Sequence, residues 1–116
     1  MADATFPSVE LTALLGRGTR FEGKLHFEGR VRIDGVFRGQ IQSDGVLVVG
    51  EGSNVQAEIS VNTLIVKGGT LEGNVQAQEA IELYVPAQVS GNLRAPQIFM
   101  DKGVKFSGQC VIATVS

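Results

Sequence analysis

Phe21-Glu22-Gly23-Lys24-Leu25 is followed sixteen residues later by Phe37-Arg38-Gly39-Gln40-Ile41. The same order of large apolar, polar, small, polar, large apolar returns at Val55-Gln56-Ala57-Glu58-Ile59, Leu71-Glu72-Gly73-Asn74-Val75, Val89-Ser90-Gly91-Asn92-Leu93 and Phe106-Ser107-Gly108-Gln109-Cys110. The six copies begin 16, 18, 16, 18 and 17 residues apart. A period this short cannot enclose a globular unit, so each copy reads as one coil of a solenoid that buries its apolar face only against its neighbours. In an extended backbone the first, third and fifth residues share a face. All twelve intervening positions are polar or charged. The small central residue is expected to point inward, where a larger one would strike the opposite wall of a narrow coil.

A second register agrees with the first. The dyads Val31/Ile33, Leu47/Val49, Leu64/Val66, Ile81/Leu83 and Ile98/Met100 start 16, 17, 17 and 17 residues apart. If they face inward, Arg32, Val48, Ile65, Glu82 and Phe99 face outward. Between the strands lie Glu28-Gly29, Asp34-Gly35, Asp44-Gly45, Gly50-Glu51-Gly52, Gly68-Gly69 and Lys102-Gly103, suited to corners. Coils of 17 residues at ~3.3 Å each trace about 55 Å, enough for three short sides around a dry core. The expected fold is all-β, a single-stranded parallel β-helix of about six coils over residues 19–112. Residues 1–18 stand outside the repeat as an N-terminal segment, and 113–116 form a short tail.

The chain has 116 residues, with 10 basic and 12 acidic side chains and a formal charge of −2, which disfavours direct nucleic-acid binding through a basic field. No apolar run approaches the ~20 residues of a membrane span, and Met1 opens no secretory pattern, so a cytoplasmic protein is expected. The single Cys110 occupies a repeat position otherwise filled by Leu, Ile or Val and reads as a core filler. His26, between inward Leu25 and Phe27, should face solvent, without a second His or Cys pair to complete a metal site. Glu22, Glu58 and Glu72 read as equivalent outward positions on a solvated face rather than a catalytic pair. Phosphate-binding glycine loops and nucleophile elbows are absent from the sequence. The expectation is no enzyme, cofactor, metal or nucleotide; the alternative is a β-helical enzyme or sugar-binding module with a polar cleft.

A β-helix leaves unpaired backbone groups on its first and last coils, and natural solenoids cover them with polar caps. The C-terminal sequence Val111-Ile112-Ala113-Thr114-Val115-Ser116 offers an apolar ending instead. Phe21, Phe27 and Phe37 lie in the first coils, Phe99 and Phe106 in the last. They either plug the coil ends or join one rod to the next. Among the residues outside the repeat, Phe6, Leu11, Leu14 and Leu15 have two readings, a tail that docks on the rod or a peptide that enters a membrane surface. Val48, Ile65 and Phe99 form an outward apolar stripe, either ordinary surface or a site for lateral pairing, membrane contact or tail docking.

The run Gly23-Lys-Leu-His-Phe-Glu-Gly-Arg-Val-Arg-Ile-Asp-Gly-Val-Phe-Arg-Gly-Gln-Ile41, followed by Leu47-Val-Val-Gly50 and Leu71-Glu-Gly-Asn-Val75, resembles the bactofilins, bacterial cytoskeletal proteins, over about residues 16–112. That resemblance implies a right-handed triangular β-helix that polymerises end to end into non-polar filaments without nucleotide. It implies a homopolymer that joins other bactofilins and positions partners in cell shape, cell-wall synthesis, polarity or chromosome segregation, in the cytoplasm or at the inner face of the membrane. Phe106 matches the C-terminal Phe used in polymerisation. The interface is therefore expected at Phe106, Val104 and Ile112 at one end and at Phe21, Leu25 and Phe27 at the other.

Overall fold

The alternation of apolar and polar residues becomes ten strands in a computed structural model that describes residues 13–114. They are β1 (Ala13–Leu15), β2 (Arg20–Phe27), β3 (Arg30–Ile33), β4 (Val36–Ser43), β5 (Val46–Val49), β6 (Asn54–Val66), β7 (Thr70–Leu83), β8 (Gln88–Ala95), β9 (Gln97–Met100) and β10 (Lys105–Ile112). Every pairing is parallel and every partner lies one coil away, as a β-helix requires. One ladder runs β2, β4, β6, β7, β8, β10 and carries the five-residue repeat. The other runs β1, β3, β5, β6, β7, β9 and carries the dyads. The long strands β6 and β7 span both ladders, with a register irregularity between Val61 and Thr63, where the earlier coils break at Gly29 and Gly45 and a later one at Pro96.

Stacking places like on like. Phe37, Val55, Leu71 and Val89 succeed one another in register and are 0 to 3% exposed, as are Ile41, Ile59, Val75 and Leu93. Every inward dyad residue from Val31 to Leu83 is also buried. Each such Leu or Ile contributes ~1.5–3 kcal/mol through lost apolar exposure, and the backbone ladder supplies the spacing. It continues through the corners, with amide-to-carbonyl bonds from Val36 to Thr19 at 3.0 Å, Asn54 to Gly35 at 3.0 Å and Gln88 to Gly69 at 2.9 Å. Ser43 shows how a buried hydroxyl is satisfied, donating to the Phe27 carbonyl at 2.6 Å and accepting from the Gly45 amide at 2.8 Å.

Two details differ from the sequence reading. The small central residues do not form an inward ladder. Gly39 and Gly73 have φ of 138° and 140°, and a Cβ on either would lie within 2 Å of the carbonyl oxygen of the preceding coil, Gly23 or Ala57. Gly39 and Gly73 must be Gly because the backbone bends there with positive φ and the carbonyl of the preceding coil lies where a Cβ would stand, not because the far wall is close. Ala57 is the exception: its φ is not positive, its side chain is buried, and β6 and β7 skip the Ala57 and Glu58 pairings. The ladder also begins before the repeat, since Ala13–Leu15 pair with Val31–Ile33 and add a rung to the dyad column. Phe6 and Leu11 lie outside the described residues.

We expect Gly73→Leu to lower stability by about 1–3 kcal/mol or more, because any side chain there is strained in φ and meets the Ala57 carbonyl. Ala57→Gly in the same column should cost only about 0.5–1 kcal/mol through chain entropy. Denaturant titration of both variants checks this, and an unchanged midpoint for Gly73→Leu would refute the backbone account.

Candidate self-assembly surfaces

A rung is dry only if another rung covers it, and the last one has no cover among the described residues. In β10, Phe106, Cys110 and Ile112 stack in register on Val89, Leu93 and Ala95 of β8. The β8 residues are at most 3% exposed, whereas Phe106 is half-buried, Cys110 is exposed and Ile112 is 62% exposed. Ile98 and Val104 are half-buried beside them, and Met100 is exposed. The inward face of the final coil is thus an apolar surface at the end of the rod, with the backbone edges of β9 and β10 alongside. Cys110 belongs to that face. It fills a core position by register but is no buried filler, because among the described residues no coil lies over it. Partial desolvation pushes its thiol above the ordinary value of 9.0, away from thiolate.

The opposite end is better closed. Phe21 stacks on Phe37 with ring centroids 5.1 Å apart and planes 8° from parallel. Phe21, Leu25 and Leu15 are half-buried against the core. Phe27, expected at the interface, is only 8% exposed. Its neighbour one coil on is Ser43, and the small residue leaves room for the ring to sink into the rod. Phe27 therefore serves the core, and Phe21 and Leu25 remain on the end surface.

On the side of the rod, Leu14, Arg32, Val48, Ile65, Glu82 and Phe99 form one unbroken outward column. Leu14 and Phe99 are 53% and 50% exposed, and Ile65 is half-buried. Val48 is 3% exposed, so it is not the open contact residue its outward register suggested. Its neighbours one coil to either side, Arg32 and Ile65, are both longer. The Arg32 Nε donates to both carboxylate oxygens of Asp34 at 3.0 Å. The Tyr84 hydroxyl donates to Glu82 Oε1 at 2.6 Å, and the Tyr84 ring lies against Phe99 with centroids 5.4 Å apart.

The polar residues weighed for chemistry do not converge. His26 is exposed. Glu22 and Glu72 share a column, with Arg38 and Gln56 between them. Glu58 stands two residues away in a different column, against the sequence reading, and accepts from Asn74 at 3.1 Å. Among the described residues no group of three or more His, Cys, Asp or Glu could hold a metal ion, and no helix is long and apolar enough to cross a membrane.

A rod of stacked coils with an uncovered apolar end is matched by a family profile for bactofilins, described as polymer-forming cytoskeletal proteins, over residues 13–111. The chain belongs to the bactofilin family. Its matched span starts at the first residue of β1, in agreement with the extra rung. Bactofilin BacP of Myxococcus xanthus (strain DK1622) is 27% identical over 96 residues, covering 83% of this chain and 40% of that protein. Bactofilin BacO of the same organism is 26% identical over 95 residues, covering 82% and 75% respectively. The chain thus spans less than half the length of the first relative. No solved structure gives a significant match.

Tyr84 is the sole tyrosine in the chain, so its ionisation can be followed by absorbance without ambiguity. The hydrogen bond to Glu82, then desolvation, then the charges of Glu82 and Asp101 push the phenol above its ordinary value of 10.0. The neutral phenol is favoured in the folded state, so this contribution to stability is complete below 10.0 and is lost as pH rises through the folded value. Glu82→Ala is expected to return the titration midpoint toward 10.0, and a midpoint unmoved by the substitution would refute the assignment.

Proposed function

We propose that the protein is a cytoplasmic, non-enzymatic scaffold whose rods join through their ends into filaments without nucleotide. The supporting observation is the uncovered final rung, where Phe106, Cys110 and Ile112 stay open in register with the buried Val89, Leu93 and Ala95. A second rod laid on this surface covers the apolar face and extends both backbone ladders, the way each coil already covers its neighbour. Phe21 and Leu25 offer a smaller apolar surface at the other end. Family membership supports the polymer as the working form. Positioning of partners in cell shape, cell-wall synthesis, polarity or chromosome segregation, mixed assembly with other bactofilins, and attachment at the inner membrane face through Phe6 and Leu11 complete the proposal.

Electron microscopy and sedimentation of purified protein at micromolar concentration without nucleotide test this reading. Long filaments are expected from the wild type. Phe106→Arg places an unpaired charge in the end contact, costing about 2–4 kcal/mol of association, and should arrest assembly at monomers or dimers with the fold retained. Cys110 should react with a thiol reagent in the arrested variant and be protected in filaments. Long filaments from folded Phe106→Arg, with Cys110 still reactive, would rule out this end as the contact.

A further inference from the structure

The outward column of the dyad ladder reads, rung by rung, Leu14, Arg32, Val48, Ile65, Glu82, Phe99. In character this is apolar, basic, apolar, apolar, acidic, apolar, an order that becomes its own complement when reversed. We propose that this face binds the same face of a second copy, with the two rods antiparallel. A twofold axis lying in the interface, at the height between the Val48 and Ile65 rungs and perpendicular to the rods, sets each Leu14 opposite a Phe99, each Arg32 opposite a Glu82 and each Ile65 over the rung of the buried Val48, so the accessible apolar contact comes from Leu14, Ile65 and Phe99.

The flanking column agrees. Asp34, Gly50, Lys67, Tyr84 and Asp101 succeed one another through amide-to-carbonyl bonds of 2.7 to 2.9 Å onto the rung below. The same axis sets Asp34 opposite Tyr84 and Gly50 opposite Lys67, with no like charges facing. A parallel pairing would put Arg32 on Arg32 and Glu82 on Glu82, which opposes association. The local bonds pre-orient both charges. Arg32 spends its Nε on Asp34, and Glu82 receives Tyr84 on Oε1 alone, leaving Oε2 for an incoming guanidinium. The five-residue ladder is a poor candidate by comparison, since one outward column there is polar throughout: Glu22, Arg38, Gln56, Glu72, Ser90, Ser107.

Six rungs at ~4.8 Å with four-residue strands give roughly 400 Å² per copy, about half of what a standard interface buries on each partner. A single pair is therefore weak. The contact becomes effective when rods already joined end to end present it repeatedly, so its strength rests on the filament reading while its geometry does not.

Charge reversal tests it. Wild-type filaments are expected to run in pairs that separate at high salt. Arg32→Glu or Glu82→Arg alone sets like charges opposite one another and should lower the paired fraction on the order of tenfold while filaments keep their length. The double variant restores opposite charges only in the antiparallel arrangement and should recover pairing. Ile65→Asp, at the centre and without a partner charge, should also give single filaments, and melting curves confirm that each variant folds. If the wild type forms no filaments, end-to-end joining fails and sedimentation equilibrium of the rods at high concentration reads the pair directly, with dimers lost in the single reversals and regained in the double. Single wild-type filaments, or a double reversal that fails to recover pairing, would overturn the proposal. So would single filaments that bind phosphatidylglycerol vesicles through Ile65, which would assign the face to lipid.

Discussion

A coil of about 17 residues has an inside but no means of covering it. Each apolar rung becomes dry only when the next coil is laid on it at the spacing of a backbone hydrogen bond, so burial and ladder pairing are one requirement. This explains why like residues stack on like, why corner amides continue the ladder through Val36, Asn54 and Gln88, and why Gly39 and Gly73 have no room for a Cβ. The constraint has no natural end, since the first and last coils meet it on one side only.

The two ends resolve this differently. At the N-terminal end, the Phe21 ring stacks on Phe37 and Phe27 sinks over Ser43, so aromatic volume goes into sealing the rod. At the C-terminal end, Phe106, Cys110 and Ile112 remain open above a buried rung. An apolar surface flanked by strand edges is an aggregation hazard in a monomer and an assembly site in a polymer. Membership of a polymer-forming family favours the second role. Lateral and axial surfaces of such a rod are built differently. An axial contact would continue the core, while a lateral contact would depend on outward side chains whose pattern is set rung by rung.

Much of the fold was legible in residue order. Two independent registers with one period identify coils, their inward residues and the parallel stacking, because a period-two face and a period of about 17 leave few alternatives. The dyads were legible from Val31 through Leu83, and the outward column from Arg32 to Phe99 matches the register observed. The bactofilin resemblance rests on the same repeats. The repeat gave no sign of Ala13–Leu15, which carry no five-residue unit yet pair with β3 because the backbone ladder accepts any extended segment.

Sequence by itself therefore determined the coil, its period and which side of each strand is apolar, since alternation along one strand is a local property. Tertiary structure decided what each position experiences from the coils above and below. Gly73 is small because of the Ala57 carbonyl beneath it, Phe27 is buried beside the short Ser43, Val48 is buried between the longer Arg32 and Ile65, and Cys110 is open because no coil covers it among the described residues. Those outcomes depend on neighbours about 17 residues away, brought to one rung spacing only when the chain has coiled.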